Sequence, residues 1–456
     1  MLRFFRINDP YRLAIIFILM IVIRLIQGAF IDEQSFYGLK WLLLGEWLNQ
    51  GFKMYAETFD YTGPIAAFVY KHLYFIFGRS NFIHYGFSSL VIIFQAGIFN
   101  QLLLKNKAYD ENNYLPAFLY VILMLAVPDF MTLSPQLMSL TFVLMSLRNV
   151  LRRIDNQVTD ELFLNSGIYL GVAAMIYLPS MIFFFVFLFA LILFSTAVTR
   201  RLLLYLFSFL MAFSLCTLYF YSRGHASVFI DSYVTQNLLL KAGSPVDTDE
   251  FLLISAGFIF IFVLSVFKTW GSARLTSFQQ KIQQVIWLMF FGGVATFFLS
   301  NGKSFHEIVF IVPVIAYFWT HYFILLKKRI FQFVMPGFMI FGILFYAIYC
   351  YRNFADPLLV ESRPAEKGLM VLGGDLGYYQ NEMILTPCFS EHHALKAFEG
   401  LAYYHTAAGL HEMFQKADPE IIIDRMDMVP AVFSRFPKME SAYQRTSSNR
   451  YEKISN

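Results

Sequence analysis

Two carboxylates, Asp32 and Glu33, stand together where the first long apolar run of the chain ends. Adjacent side chains on a regular backbone point apart, so one can face a cavity while the other meets solvent or a cation. A carboxylate half-buried beside a bilayer is desolvated, which raises its pKa by disfavouring the charged form. Such a group suits a general base that takes a proton from an acceptor hydroxyl or amine. The plainer alternative is a charged helix end anchored at an interface. The pair opens the stretch Phe30–Ser80, which carries Asp32, Glu33, Glu46, Glu57 and Asp60 against Lys40, Lys53, Lys71 and Arg79. Phe36, Tyr37, Trp41 and Trp47 add an aromatic face at amphipathic spacing. Cations for a phosphate leaving group are offered by Arg24, Arg223, Lys303 and His306, each of which could instead anchor the chain at the interface. The loop Ser222–Glu250 reads as a solvated loop or as a lid.

These groups must be held by a membrane bundle. The chain has 456 residues, 58% hydrophobic and 14% charged, with a mean hydropathy of +0.56. A soluble domain carries roughly 25% charged residues, so most of this surface faces lipid. About eleven apolar runs are long enough to span or nearly so. The first, Leu13–Phe30, follows Arg3, Arg6 and Arg12 and lacks a small-residue cleavage site, so it reads as a retained anchor. Gly63–Phe77 reads as a helix lying on the surface, because Lys71 and His72 interrupt it. With that stretch not crossing, about sixteen basic residues fall on one side and about seven in the opposite short loops. The N-terminus is therefore expected in the cytoplasm. Residues 31–81, the loop Ser222–Glu250 and everything after Tyr351 are expected outside. From Arg352 to Asn456 charges return and the apolar runs shorten to Leu369–Leu372 and Ile421–Ile423, the pattern of a small α/β domain. Gly373-Gly374-Asp375 lacks the later glycine of a dinucleotide fingerprint and reads as a turn. Cys216, Cys350 and Cys388 suggest neither a disulfide framework nor a metal quartet. Basic residues are scattered rather than gathered in a stripe, which argues against nucleic acid as a partner.

Arg24 late in the first run, Asp32-Glu33 at its outer end, then Gly45, Tyr55, Asp60, Gly63-Pro64 and Phe77-Gly78 resemble the first outer loop of the GT-C membrane glycosyltransferases. The nearest branch is the bacterial one similar to aminoarabinose transferases and protein O-mannosyltransferases. Gly167–Pro179 is similar to that family's glycine-rich helix pair, and His306–Pro313 to its outer segment before a proline. The resemblance implies an α-helical polytopic membrane protein over 1–351, with an outer loop 31–81 carrying interfacial helices and a C-terminal extracytoplasmic α/β domain over 352–456. It implies a polyprenyl-phosphate-linked sugar as donor, membrane lipid as surroundings and the bacterial inner membrane as location. Asp32 takes the position of the catalytic base, with Glu33 beside it. Arg24, Tyr55, Asp60, Arg223, Lys303 and His306 are the substrate-binding candidates. No resident cofactor is implied, and a divalent cation is left open. Two positions depart from the pattern. Thr132–Leu140 has Pro135 and Gln136 where relatives place an Asp, the nearest acid being Asp129, and Tyr177-Leu178-Pro179 stands where a basic residue often follows. The rival class is a non-catalytic envelope scaffold or a transporter of lipid or envelope components. A transporter would show duplicated halves and polar residues near the midplane, and the sequence shows few such polar residues and no duplicated half.

Overall fold

Prolines and short 3-10 turns cut this chain into helices of unequal length. The computed structural model describes residues 2–30 except 8, 36–154 except 59, 159–194, 198–239, 248–272, 275–300, 304–326, single positions between 334 and 349, 368–372, and 400–454 except 426. In chain order the helices are α1 Leu2–Phe5, α2 Tyr11–Phe30, α3 Phe36–Asn49, α4 Pro64–Phe77, α5 Asn81–Lys105, α6 Leu115–Leu125, α7 Pro135–Ile154 and α8 Asp160–Ile176. They continue as α9 Ile182–Phe194, α10 Thr199–Ser222, α11 Ala226–Phe229, α12 Gln236–Leu239, α13 Thr248–Ser272, α14 Ser277–Leu299 and α15 Val312–Ile324. Among the described residues, α2, α5, α10 and α14 are long and apolar enough to cross a membrane.

Burial sorts them. Every residue of α6 is buried, as is α15 from Val312 to His321, so these two short helices form the centre of the bundle. In α10 Tyr205, Ser208 and Phe220 are buried, while Leu203, Phe207, Leu210 and Leu218 are exposed on the outer surface. α8 packs on α10 through Gly167 and Gly171, four residues apart on one face. A Cβ at Gly167 would lie 1.9 Å from Ser208 Oγ and 2.4 Å from the Tyr205 carbonyl oxygen. A Cβ at Gly171 would lie 2.7 Å from Ala212 Cβ. Small residues at this spacing let membrane helices approach closely.

Pro116, Pro135, Pro179 and Pro313 each sit in the first turn of an element. Proline lacks an N–H and fixes φ, so it is tolerated there and marks where a helix starts afresh. The 3-10 turns Pro128–Met131, Leu178–Met181 and Phe305–Phe310 interrupt the bundle near these points. The first and third touch each other, and α7 packs on the second and third. Irregular backbone at membrane depth is stable only where protein or a polar cavity satisfies it.

The same end carries α3 and α4. Gly63, at φ −61° and ψ 144°, delivers Pro64 into α4, and Gly78 at φ 67° ends it. Gly63 also has to be glycine because a Cβ there would lie 2.1 Å from the Ile176 carbonyl oxygen. α4 buries Ala66, Ala67, Tyr70 and Leu73 and leaves Phe68, Phe75 and Ile76 exposed. Its inner stripe thus meets protein, while its apolar outer face suits lipid. The Tyr70 hydroxyl donates to the Leu133 carbonyl at 2.7 Å, just before α7. α3 differs from the one-sided helix expected of its aromatic spacing: Gly38 to Leu48 are buried throughout. α4 covers one side, and a continuous apolar cluster joins Trp41, Leu44 and Trp47 to Leu401, Met413 and Phe414 of the C-terminal part.

That part contains a four-stranded sheet. β1 Leu369–Leu372, β2 Ile421–Asp424, β3 Tyr443–Ser447 and β4 Arg450–Lys453 stand in the order β1-β2-β4-β3. β1 and β2 are parallel, with Met370 opposite Ile422, and Ile422 then faces Tyr451 across an antiparallel pair. The helix Tyr404–Ala417 packs Leu410, Met413 and Phe414 into the apolar cluster that includes these strands. The polar tail of the sequence is here a hairpin, β3–β4, whose mostly polar residues YQRTS and RYEK, with only Tyr451 buried, gave little periodic apolar signal. Gly373-Gly374-Asp375 lies outside the described residues.

Candidate functional site

The polar groups converge where the loop before α4 meets the broken helices. Tyr55 holds the loop in shape. Its φ is 66°, unusual for a residue with a side chain, and its amide donates to Thr58 Oγ1 at 3.2 Å. Its hydroxyl donates to the Thr62 carbonyl at 2.8 Å, and its ring packs against Phe220, Phe229 and Tyr233. Asp60 is fully buried. It accepts from the Tyr61 amide at 2.7 Å and from the Thr62 hydroxyl at 2.9 Å, and pairs with Lys40 Nζ at 3.0 Å. Lys40 arrives from α3, with its ammonium 4.1 Å from the centre of the Tyr61 ring. Desolvation is the largest influence and works to lower the Lys40 pKa, but Asp60 and Tyr61 together outweigh it and the net direction is upward. Lys40 is therefore a charged group held inside the protein.

Opposite it stands Glu307, on the 3-10 turn Phe305–Phe310. Its Oε1 accepts from Gln136 Nε2 at 3.0 Å and from Ser300 Oγ at 2.9 Å, and its Oε2 accepts from the Tyr177 hydroxyl at 2.5 Å. Among the described residues no cation pairs with it. Burial pushes the carboxyl up to about 7, against the three hydrogen bonds that favour its charged form. Asp129, buried on the 3-10 turn Pro128–Met131, is likewise pushed up to about 7 by desolvation. Both carboxylates, with Tyr61, hold the nearby Tyr37 phenol well above its ordinary value, after burial as the main cause.

Tyr37, Lys40, Tyr61, Gln136, Tyr177, Asn237 and Glu307 are among the walls of one cavity of about 40 Å³. That space admits a water or two, whereas ligand pockets span roughly 300–1,000 Å³. A substrate could enter only if a wall moved. One wall is the π-helical turn Ile230–Thr235 with α12. Tyr233 donates to the Ala174 carbonyl, and Asn237 Nδ2 donates to the Tyr61 carbonyl at 3.0 Å. π-turns recur at functional sites. A larger cavity, about 360 Å³, lies between α6, α13 and α15. Its wall is built mostly of Leu123, Phe258, Phe260 and similar side chains and holds no ionisable carboxylate, amine or imidazole among the described residues, so it offers little for chemistry.

The structure gathers some of the residues singled out in the sequence and separates others. Asp60 and Tyr55 belong to the loop that frames the cavity. His306 lies next to it, fully buried, with its ring edge-on to Tyr37 and Trp41 at 5.5 and 5.0 Å. Neither ring nitrogen has a hydrogen-bond partner among the described residues. Burial takes its pKa down to about 3, so His306 is a neutral imidazole and not the cation its residue type offered. Arg24 lies away from the cavity and binds neutral acceptors: Ser88 Oγ at 2.7 Å, Ser89 Oγ at 2.5 Å and the Tyr85 and Phe130 carbonyls, both at 3.1 Å. It ties α2 to α5 and to the first 3-10 turn. Arg223 is exposed at the end of α10, 5.6 Å from the Tyr219 ring. Asp32, Glu33 and Lys303 lie outside the described residues. The first two belong to the segment leading into α3, whose Tyr37 and Lys40 line the cavity. Among the described residues no three His, Cys, Asp or Glu side chains gather as a metal site. Glu307 is the group that residue patterns passed over, although its segment had been noted. The available signal was a carboxylate set, next to a histidine, just before an apolar run.

The course of the whole chain resembles two known membrane enzymes. ArnT from Cupriavidus metallidurans, solved bound to undecaprenyl phosphate, superposes with a TM-score of 0.57 at 11% identity, over 98% of this chain and 99% of that one. The oligosaccharyltransferase of Archaeoglobus fulgidus, solved in the apo form, superposes with a TM-score of 0.51 at 10% identity, over 97% of this chain and 74% of that one. The chain shares the fold of these two structures. Family models and curated protein sequences return no match to the chain. The GT-C likeness therefore rests on backbone course, and the polar cavity has to be read from its own chemistry.

Proposed function

We propose that this GT-C-fold protein is a glycosyltransferase that moves a sugar from a polyprenyl-phosphate donor to an acceptor of the cell envelope. In this reading it sits in a bacterial inner membrane with about eleven spans, the N-terminus cytoplasmic and residues 352–456 on the outer face. One observation carries the reading: a whole-chain GT-C course whose enclosed polar cavity lies where the broken helices, the loop before α4 and α3 converge. The undecaprenyl phosphate of the neighbouring ArnT supports a lipid-linked donor.

The chemistry asks for three things. A base takes the proton from the acceptor hydroxyl or amine, and the freed lone pair attacks the anomeric carbon. The bond from that carbon to the phosphate oxygen breaks, and the electron pair leaves with the polyprenyl phosphate. We assign the base to Asp32, with Glu33 beside it. A cation eases the departing charge. Lys40 fits that part better than Arg24, because it is enclosed at the cavity while Arg24 is committed to neutral acceptors. Arg223 and Lys303 remain candidates for the approach of the lipid phosphate. Asp60 and Tyr55 hold Lys40 and its loop, and neutral His306 can exchange hydrogen bonds with a sugar hydroxyl.

The test is transfer from a radiolabelled polyprenyl-phosphate sugar by the full-length protein in lipid vesicles. Asp32→Asn and Asp32→Ala are expected to lower turnover by at least roughly a hundredfold, the usual worth of a general base. Undiminished turnover in both removes the assignment. A chelator arm in the same assay reports any divalent cation.

A further inference from the structure

The two long helices α2 and α5 run antiparallel and are fastened at one end by the Arg24 guanidinium on Ser88 and Ser89. Eleven residues earlier in α2, Leu13 Cδ2 would lie 3.4 Å from a Cβ on Gly97 of α5. Beyond that close approach the helices leave a groove of about 600 Å³. Its walls are graded. Leu13, Ile93, Phe94, Gly97 and Ile98 make one end apolar, while Gln101, Lys105 and Asn112 make the other polar. The neighbouring outer surface carries exposed Ile15, Ile18 and Leu90 on the same two helices, so the groove opens on the lipid side of the bundle.

Charge points the same way. Among the described residues no carboxylate lines the groove. Lys105, in the last turn of α5, has no ion pair among the described residues. Nearby Glu111 is taken by Arg6 at 3.9 Å, and Asp110 accepts from Gln279 at 3.2 Å. Arg12, one residue before groove-lining Leu13, is 7% exposed, with its guanidinium over the Phe4 ring at 4.1 Å, and adds a positive charge near the start of α2.

We propose that this groove binds one anionic phospholipid of the surrounding bilayer, its acyl chain against Leu13, Phe94 and Gly97 and its phosphate at Lys105. The site is separate from the Glu307 cavity: Leu13, Gly97 and Lys105 line none of its walls. Its test does not depend on the transferase reading.

The experiment uses the full chain in detergent with phosphatidylglycerol or phosphatidylcholine, and native mass spectrometry to count retained lipid. The wild type is expected to keep phosphatidylglycerol about fivefold better, the value of one lysine near an anionic headgroup. Lys105→Glu, an exposed substitution, should erase that preference. Gly97→Leu should fill the groove and lower retention of both lipids. Equal retention of the two lipids by the wild type, or a preference unchanged in Lys105→Glu, overturns the proposal. If Gly97→Leu fails to fold, Lys105→Glu decides alone.

Discussion

The hydroxyl of Tyr177 donates to Oε2 of Glu307 at 2.5 Å, joining residues 130 positions apart in the chain. Tyr177 follows the glycine-rich α8, and Glu307 lies in the turn before α15. Their meeting closes the polar cavity on one side. Where a cation could have balanced this carboxylate, the chain places a phenol, an amide and a hydroxyl. Neutral donors stabilise the charge only in part, and burial prevails.

A pH dependence follows from that balance. Glu307 titrates near 7 in the fold, against 4.5 when unperturbed. Between those values the folded chain binds more protons than the unfolded one, so stability falls as pH rises from about 4.5 to about 7 and levels off above. Asp129 adds a slope of the same sign. Glu307→Gln is expected to flatten the curve of thermal midpoint against pH while leaving the Asp129 share. An unchanged slope would show that Glu307 is charged throughout.

The pair Lys40–Asp60 gives a second prediction. Both side chains are enclosed, at 7% and 0% exposure. Removing one partner leaves a buried charge, at a cost of about 3–5 kcal/mol. Lys40→Met and Asp60→Asn should each lower the thermal midpoint in detergent, and the double variant should lose less than the sum. Strict additivity would mean that the two groups do not stabilise one another. If Lys40 also meets the donor phosphate, Lys40→Met should lose transfer even where the fold is recovered in the double variant.

Packing supplies the third. Gly167 leaves no room for a side chain, because even an alanine Cβ would press on the Tyr205 carbonyl at 2.4 Å. Overpacking of this kind costs about 1–3 kcal/mol. Gly167→Leu should push α8 from α10 and convert the monodisperse peak in size exclusion into aggregate. Gly28, with nothing within 4 Å of its Cβ position, is the matched control, and Gly28→Ala should run as the wild type. Equal behaviour of the two would deny the close approach.

How much of this could be read in advance varies by element. Long apolar runs bounded by proline and arginine announce α2, α5, α10 and α14 because lipid imposes length and composition together. The acidic loop was equally visible, and Asp60 and Tyr55 belong to the stretch that leads to cavity-lining Tyr61, Thr62 and Gly63. Burial of α3 was not visible: its aromatic spacing matches a surface helix, and the covering side chains, Leu401, Met413 and Phe414, lie some 350 residues away. The role of Arg24 was hidden for the same reason, since an arginine in an apolar run looks alike whether it meets phosphate or two serines. Glu307 acquires meaning only when Gln136, Tyr177 and Ser300 are brought to it from separate helices.

The contact between the C-terminal part and the loop before α4 gives the last prediction. Lys416 Nζ donates to the Gly51 carbonyl at 2.7 Å and to Glu57 Oε2 at 3.1 Å, and the same Oε2 accepts from the Lys53 amide at 2.8 Å. Glu57 is therefore held from both sides, and three residues later the chain reaches Asp60. Lys416→Met keeps a side chain of similar length beside Phe52 but removes the ammonium, with both hydrogen bonds and its place 4.5 Å from the ring centre. The loop should then open locally more often, with amide exchange at Lys53 about tenfold faster, the equivalent of roughly 1.4 kcal/mol. Exchange in α6, which packs in a different apolar cluster from the C-terminal part, should stay unchanged. If transfer depends on Lys40 being held by Asp60, the same variant should raise KM for the donor before it lowers kcat. A faster Lys53 amide with wild-type KM would separate the loop's stability from the site.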